Sequence, residues 1–450
     1  LPDRLRHFLP ALILLILGGV LAAWISPLEQ QQVTDHLLGF PDSHAFAHKA
    51  RPWVLGFLCF IPALGAIYYG FSKALDRYLI RQFAVAFALC FAGIYAIWLI
   101  IDFADNIGDF REKDHPLEIM GKYYGTQLPF VFVELAPFAL LLGLLFCLGK
   151  LSASQEIVSM IQTGRGVIRI TTPLAVIGLL AGILCLGFNY QWAPWASGYK
   201  RAIMDETGDG VQNVLFFEKE ERRLWLVGEF PYGYNKGEPL QNVVVRTFAP
   251  DGTPTTILKS ETAQWDAATG DWVFDQAGTW DLQHQLPDGE AMPQHQRHPG
   301  EVRQTDWPET PWKLIKPGLK AENLGIPGLY SWLLANRDQS WVNRRRFLTQ
   351  WHYRWAQPGI CLAIILLSAP LGIVFTRRGA AGGVAISIFL CAGMMFSSAV
   401  FLSLGESGYL SPILAAWGTN ITAIMIALVL IQRRLVGRPI YQTLKKLLPF

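Results

Sequence analysis

Charge is what this sequence has least of. Of 450 residues, 16% are charged and 52% are hydrophobic, too apolar a balance for a water-soluble protein of this length, so the class is integral membrane. A net charge of +3 is too small to point to nucleic acid, and no such partner is expected. Cysteine is scarce: Cys59, Cys90, Cys147, Cys185, Cys361 and Cys391 all fall in apolar runs. No disulfide framework can therefore staple a water-exposed domain, and scattered thiols without ligand spacing read as small packing residues. Catalytic signatures are missing too. The sequence holds no G-x-x-x-x-G-K-[ST], H-E-x-x-H, G-x-S-x-G or C-x-x-C, so it lacks the marks of a P-loop ATPase, a zincin, a serine hydrolase or a dithiol enzyme. His44 and His48 have the spacing of two ligands on one helix face, but no acidic helper accompanies them and a solvated loop is expected. His284, His295 and His298 sit among Gln, Pro and Gly and read as a surface loop. No metal site is expected.

Long apolar runs are what the sequence does have. About 20 helical residues cross a hydrocarbon core of about 30 Å, and runs of that order occur at 8–25, 53–70, 83–101, 129–148, 168–190, 356–375, 382–404 and 410–431. Eight spans are expected. The first resembles a signal peptide, but residues 24–27 lack a small-x-small cleavage site and a retained span is favoured. Lys and Arg test the count, since they concentrate on the cytoplasmic side. With the N-terminus inside, the inner segments hold Arg4 and Arg6; Lys73, Arg77 and Arg81; Lys150, Arg165 and Arg169; Arg377 and Arg378; and Arg433, Arg434, Arg438, Lys445 and Lys446. The outer segments are acidic or mixed, with Glu29, Asp35 and Asp42, then Asp102, Asp105, Asp109, Glu112, Asp114 and Glu118. Both termini are placed in the cytoplasm.

Residues 190–355 interrupt the spans and fall outside. Short alternating stretches at 213–219, 223–230, 242–249, 255–265 and 271–283 are separated by turn signals such as Pro250-Asp251-Gly252 and Ala268-Thr269-Gly270, which predicts an all-β sandwich or jellyroll. Trp225, Trp265, Trp272 and Trp280 read as inward-facing core aromatics rather than a stacking surface. A short helix at 326–338 leads back to the membrane.

One inner segment is neither span nor simple loop: GKLSASQEIVSMIQTGRG, residues 149–166. Ser152 followed by Gln155 has the capping-box pattern, and Gly164 and Gly166 supply permissive stops, predicting a helix of about three turns over 152–164. Ile157, Val158, Met160 and Ile161 give it an apolar face, while Ser154, Gln155 and Glu156 stay open to a cytosolic partner. So short a helix needs something to lie against. A docking helix and an interfacial helix resting on lipid headgroups both account for that face, although the acidic Glu156 and the scarcity of Lys fit headgroups poorly.

The string LAPFALLLGLLFCLGKLSASQEIVSMIQTGRG (135–166) resembles the second span and following cytoplasmic helix of the lipopolysaccharide-export permeases, the LptF/LptG (YjgP/YjgQ) family. Three further stretches resemble it in order: LDRYLIRQF (75–83), YQWAPWASGYKR (190–201) and QWHYRWAQPGICLAIILLSAPLGIVFTRRGAAGG (350–383). The likeness covers about residues 73–435, and LDRY, IPGLYSWL and TRRGAAGG look closer to LptG. It implies an α-helical polytopic membrane protein with six family spans plus two N-terminal ones and an inserted periplasmic β-jellyroll. The implied domains are an extra hairpin at 1–72, spans and coupling helix at 73–190, the β domain at 191–345, and three spans with a tail at 346–450. It implies a bacterial inner-membrane subunit of an ABC exporter whose separate cytosolic ATPase dimer binds the ATP and Mg; the chain itself holds no cofactor. Glu156 matches the family's acidic coupling residue, with Ser154, Gln155, Val158 and Met160 around it. Other implied partners are a second permease, jellyroll bridge proteins of the LptC/LptA type, and lipopolysaccharide or a related glycolipid. The gates would be the spans at 83–101 and 382–404, where Gly379, Gly382, Gly383 and Gly393 allow close approach, as do Gly178 and Gly182 on another span.

Two departures stand out. Residues 1–72 precede the family's opening motif. Where family members carry basic residues at the outer end of the first span, this chain has DFADNIGD (102–109), and Asp102 and Asp105 repel phosphate unless divalent cations bridge them. Two rival classes follow: a non-transporting membrane scaffold whose β domain binds envelope proteins, and a lipid-modifying enzyme, which the missing catalytic constellation disfavours.

Overall fold

In a computed structural model of the protein the described residues are 7–37, 45–111, 115–164, 166–204, 210–218, 220–231, 234, 237–266, 268–282, 294–315, 319–337, 340–373 and 380–435. Expectations resting on Arg4, Arg6, Asp42, His44, Glu112, Asp114, Arg165, His284, Arg377, Arg378, Gly379, Arg438, Lys445 and Lys446 lie outside the described residues. The chain divides into two compact units: Leu1–Pro27, Ala50–Ala196 and Gly325–Phe450 form one, Leu28–Lys49 and Ser197–Leu324 the other. Residues 325–345, expected with the β domain, thus group with the helices.

The helices are α1 (Leu9–His36), α2 (Phe46–Lys49), α3 (Arg51–Leu58), α4 (Ile61–Phe71), α5 (Ala74–Arg111), α6 (Pro116–Ala153), α7 (Glu156–Gln162), α8 (Val167–Tyr190) and α9 (Trp192–Met204). After the strands come α10 (Pro311–Ile315), α11 (Ile326–Ala335), α12 (Trp341–Ala356), α13 (Gly359–Gly372), α14 (Ala380–Ser407) and α15 (Pro412–Leu435). Among the described residues six helices are long and apolar enough to cross a membrane, and two bent pairs raise the number to eight. The bent pairs are residues 46–71, broken by 41°, and α12 with α13, broken by 51°. The apolar run at 356–375 is therefore only the second half of a broken helix, whose first half is basic and aromatic.

Packing ranks the spans. The apolar window of α6 is 67% buried, that of α5 only 6%, so α6 is the spine and α5 presents most of its surface outward. Leu140, Leu144 and Leu148 of α6 meet Leu79 and Phe83 of α5, Leu174 of α8 and Ile365 of α13. Glycine permits the tightest crossing: a Cβ on Gly182 of α8 would lie 2.8 Å from the Pro358 carbonyl oxygen, and one on Gly178 would overlap Ile365. Cys185 and Cys361 meet at the same crossing with sulfurs 4.0 Å apart, and all six cysteines are free. Among the described residues nothing lies within 4 Å of the Cβ position of Gly393, which is thus open within the chain.

The β unit is an antiparallel sheet of β1 (Gly210–Glu218), β2 (Arg223–Pro231), β3 (Leu240–Phe248), β4 (Pro254–Asp266), β5 (Asp271–Asp275), β6 (Gly278–Asp281), β7 (Gln294–Arg297) and β8 (Val302–Gln304). The order is β1-β2-β3-β4-β5-β8, and the sheet forks beyond β4, whose first half pairs β6 while its end pairs β5. The single strand expected at 271–283 is broken at Gln276, which adopts a φ of 51°. Trp225 and Trp272 are buried in the core with Phe230 and Phe274. Trp280 departs from the expected core: it stacks on His295 at 4.5 Å, and that histidine lies in β7 rather than a loop. His48 also departs, being 2% exposed within α2.

Because α8 and α13 touch through glycine, Gly182→Val is expected to destabilise purified protein by about 1–3 kcal/mol through overpacking. The same change at Gly393 leaves the thermal midpoint unmoved.

Candidate functional site

The segment between α6 and α8 is built by one backbone reversal. Helix α6 continues through Ser152 to Ala153, Ser154 caps it, and Gln155 turns left-handed with φ 62°. Helix α7 then spans only Glu156–Gln162, and Gly164, at φ 83°, releases the chain toward α8. The expected helix over 152–164 thus starts four residues later. Ser152 is no cap; it lies in the last turn of α6 with its hydroxyl 3.5 Å from the Gly372 carbonyl of α13. The local capping pattern loses because α6 keeps its own ladder for another turn.

The faces of α7 are unequal. Ile157 is fully buried and Met160 is 6% exposed, both packed with Leu79, Leu148, Leu151 and Val167. Met160, expected both on the apolar face and around Glu156, therefore anchors the helix from beneath. Val158 is half-buried, while Ser159, Gln162 and Thr163 are exposed. Glu156 is half-buried and engaged at both oxygens: Ser154 donates its hydroxyl to Oε1 at 2.8 Å, and Tyr78 of α5 donates to Oε2 at 2.8 Å. A second link lies alongside, where Asp76 of α5 faces Arg169 of α8 at 3.6 Å. Sequence reasoning singled out the stretch holding Asp76 and Tyr78 without assigning either side chain a task. Tyr78 stands 78 residues from Glu156, and no local pattern encodes that contact.

The second group of expected residues lies on α5 and α14. Asp102 is 8% exposed and accepts a hydrogen bond from the Tyr123 hydroxyl of α6 at 3.2 Å. Asp105, three residues on and on the same side of α5, is exposed, so the two carboxylates differ in burial rather than in face. Gly382 and Gly383 lie in the first turn of α14, and their surroundings are outside the described residues.

Order and spacing now meet a family: the lipopolysaccharide export system permease LptF/LptG matches residues 77–433. The chain belongs to this family. It is a permease component of a lipopolysaccharide export system, and its family is one of transporters. No curated protein sequence matches the chain. The LptF/LptG match opens at Arg77, the residue between Asp76 and Tyr78, and closes at Arg433 in the last turns of α15. It spans the helical bundle, α7 and the inserted β domain together.

The αL backbone at Gln155 carries a penalty of about 1–2 kcal/mol that glycine lacks, offset by glycine's own chain entropy of about 0.5–1 kcal/mol. Gln155→Gly is thus expected to raise stability slightly in a denaturant titration. Ile157→Ala, which empties the socket under α7, costs about 2–5 kcal/mol in the same assay.

Proposed function

We propose that this chain is the subunit through which a separate cytosolic ATPase drives extraction of lipopolysaccharide, or a related glycolipid, from the inner membrane. One observation carries the reading: α7 is a two-turn helix cut off by the Gln155 reversal, anchored by Ile157 and Met160, with an acidic N-terminal turn. Such an element transmits a push because its buried face moves with the bundle while its outer face is open to a partner. Glu156, flanked by Ser154, Gln155 and Val158, is the contact point on the ATPase; Tyr78 passes its displacement to α5. Coupling of this kind requires contacts that differ between two states.

The rest of the reading follows from the surfaces. In this reading both termini and α7 lie in the cytoplasm and the β domain in the periplasm, which the Lys and Arg distribution supports. Helix α5 is largely unburied, and α14 exposes Phe389 and Phe396 at 78% and 72%; these are the faces offered to lipid and to a second permease across the cavity. Strand β1 is an edge, with Leu215 and Phe217 exposed, and it suits addition of a strand from a bridge protein of the LptC/LptA type. Residues 1–72 form an added hairpin, and the branch is LptG on the LDRY, IPGLYSWL and TRRGAAGG stretches.

Purified complex reconstituted with its ATPase tests the reading. Glu156→Ala and Glu156→Lys should leave the protein inserted and folded yet lower lipid release per ATP hydrolysed by about tenfold or more, within the usual range of coupling energies. Tyr78→Phe should give a smaller loss of the same kind. Release at the wild-type rate by both Glu156 variants would sink the assignment.

A further inference from the structure

The inward face of the β sheet changes character past its fork. Val245 of β3 stands opposite Leu258 of β4, Leu258 opposite Thr279 of β6, and Thr279 opposite Gln296 of β7. One step outward the same four strands align Thr247, Thr256, Asp281 and Gln294. Directly opposed and alternate residues share a face, so both rows continue the face that holds Val245 and Leu258 in the core. A sheet that only packs would stay apolar there. Instead the β6–β7 wing offers hydroxyls, amides and a carboxylate.

These rows line a cavity of about 330 Å3, at the lower end of small-molecule sites. Val245 and Leu258 form its apolar floor, Trp307 a wall, and Gln304 of β8 reaches it from the other branch of the fork. Trp307 is held in place by Arg223, whose guanidinium sits 4.6 Å from the ring centroid, and by the edge of Trp225 at 5.4 Å. Arg223 is itself fixed by the buried Glu309 carboxylate at 2.7 Å. The wing is braced by the Trp280–His295 stack and by Thr279 bonded to His298 at 3.0 Å. Among the described residues the side-chain amides of Gln294, Gln296 and Gln304 make no hydrogen bond within the protein.

We infer that this cavity binds a neutral saccharide unit. Each glutamine amide both donates and accepts, which matches sugar hydroxyls, while Val245, Leu258 and the rigid Trp307 ring suit the C–H face of a pyranose. An acyl chain in the same mouth would strip water from the glutamine amides and return no hydrogen bond. Among the described residues the lining holds no Lys, Arg or His, so nothing in it draws in a phosphate. The source of the saccharide, a glycolipid head rather than a free glycan, rests on the export function proposed above.

The test uses full-length protein in phosphatidylethanolamine nanodiscs and calorimetric titration with three probes. These are an uncharged oligosaccharide of neutral sugars, its phosphorylated parent, and sodium laurate. The neutral oligosaccharide should bind saturably, about tenfold more weakly after Gln294→Ala or Gln296→Ala, a loss of one hydrogen-bonding partner each. Both residues are exposed, so the variants should keep the wild-type thermal midpoint. The phosphorylated parent should bind more weakly and laurate should not compete. Absence of oligosaccharide binding, unchanged affinity in both variants, or displacement by laurate would each overturn the inference. Intact lipopolysaccharide that outbinds the free oligosaccharide, with the loss on Gln296→Ala preserved, supports a glycolipid head as the source. No ATPase enters this titration, so it fails or succeeds separately from the Glu156 experiment.

Discussion

Inside a hydrocarbon layer every backbone group that leaves a helix must find a partner, and this constraint governs where the bundle breaks. At the 51° break between α12 and α13 the carbonyl of Ala356 is freed, and Asn420 of α15 donates its side-chain amide to it at 2.6 Å. Gln357, the next residue, accepts from Asn189 of α8 at 2.9 Å and donates to Glu134 of α6 at 3.3 Å. Three helices thereby converge on one bend through side-chain amides and a carboxylate. The break at α7 obeys the same logic with different means, since the Ser154 amide returns to Lys150 and the Gln155 amide to Ser152.

Around these breaks the helices sort by how much of themselves they hide. The spine α6 gives α7 its footing, because Leu148 and Leu151 at its inner end form the socket for Ile157 and Met160. In the β unit an equivalent role falls to the Arg223–Glu309 pair. Glu309 is 0% exposed, and its backbone carbonyl also accepts from the Trp272 indole at 2.7 Å. A buried ion pair of this sort fixes geometry more than it adds stability; here it sets the position of Trp307.

Much of this was legible in the sequence. Span positions follow from apolar runs, and strands β1 to β4 from alternation bounded by Pro, Gly and Asp. What escaped has physical reasons. Residues 341–355 hold four Arg and three Trp, so hydropathy misses the first half of the broken helix. Ser152 and Gln155 satisfy a capping rule written for isolated helices, yet the start of α7 is decided by the preceding ladder. The β5 to β6 break sits at Gln276, a positive-φ residue that is not glycine. Asp102 and Asp105 lie three residues apart on one side of α5, yet Asp102 is buried beside Tyr123 of α6 while Asp105 is exposed, a difference set by the neighbouring helix that no local pattern encodes.

Helix α5 is 38 residues long, about 57 Å at 1.5 Å per residue, nearly twice the hydrocarbon thickness. Tyr78 ties it to Glu156 within its first two turns, while most of the apolar surface above is unburied. Geometry then amplifies: a tilt of about 5° about the Tyr78 end sweeps the far tip, near Arg111, through about 5 Å over that length. A small rotation at one end of α5 becomes, at the other, a sideways travel comparable to the spacing between neighbouring lipid tails.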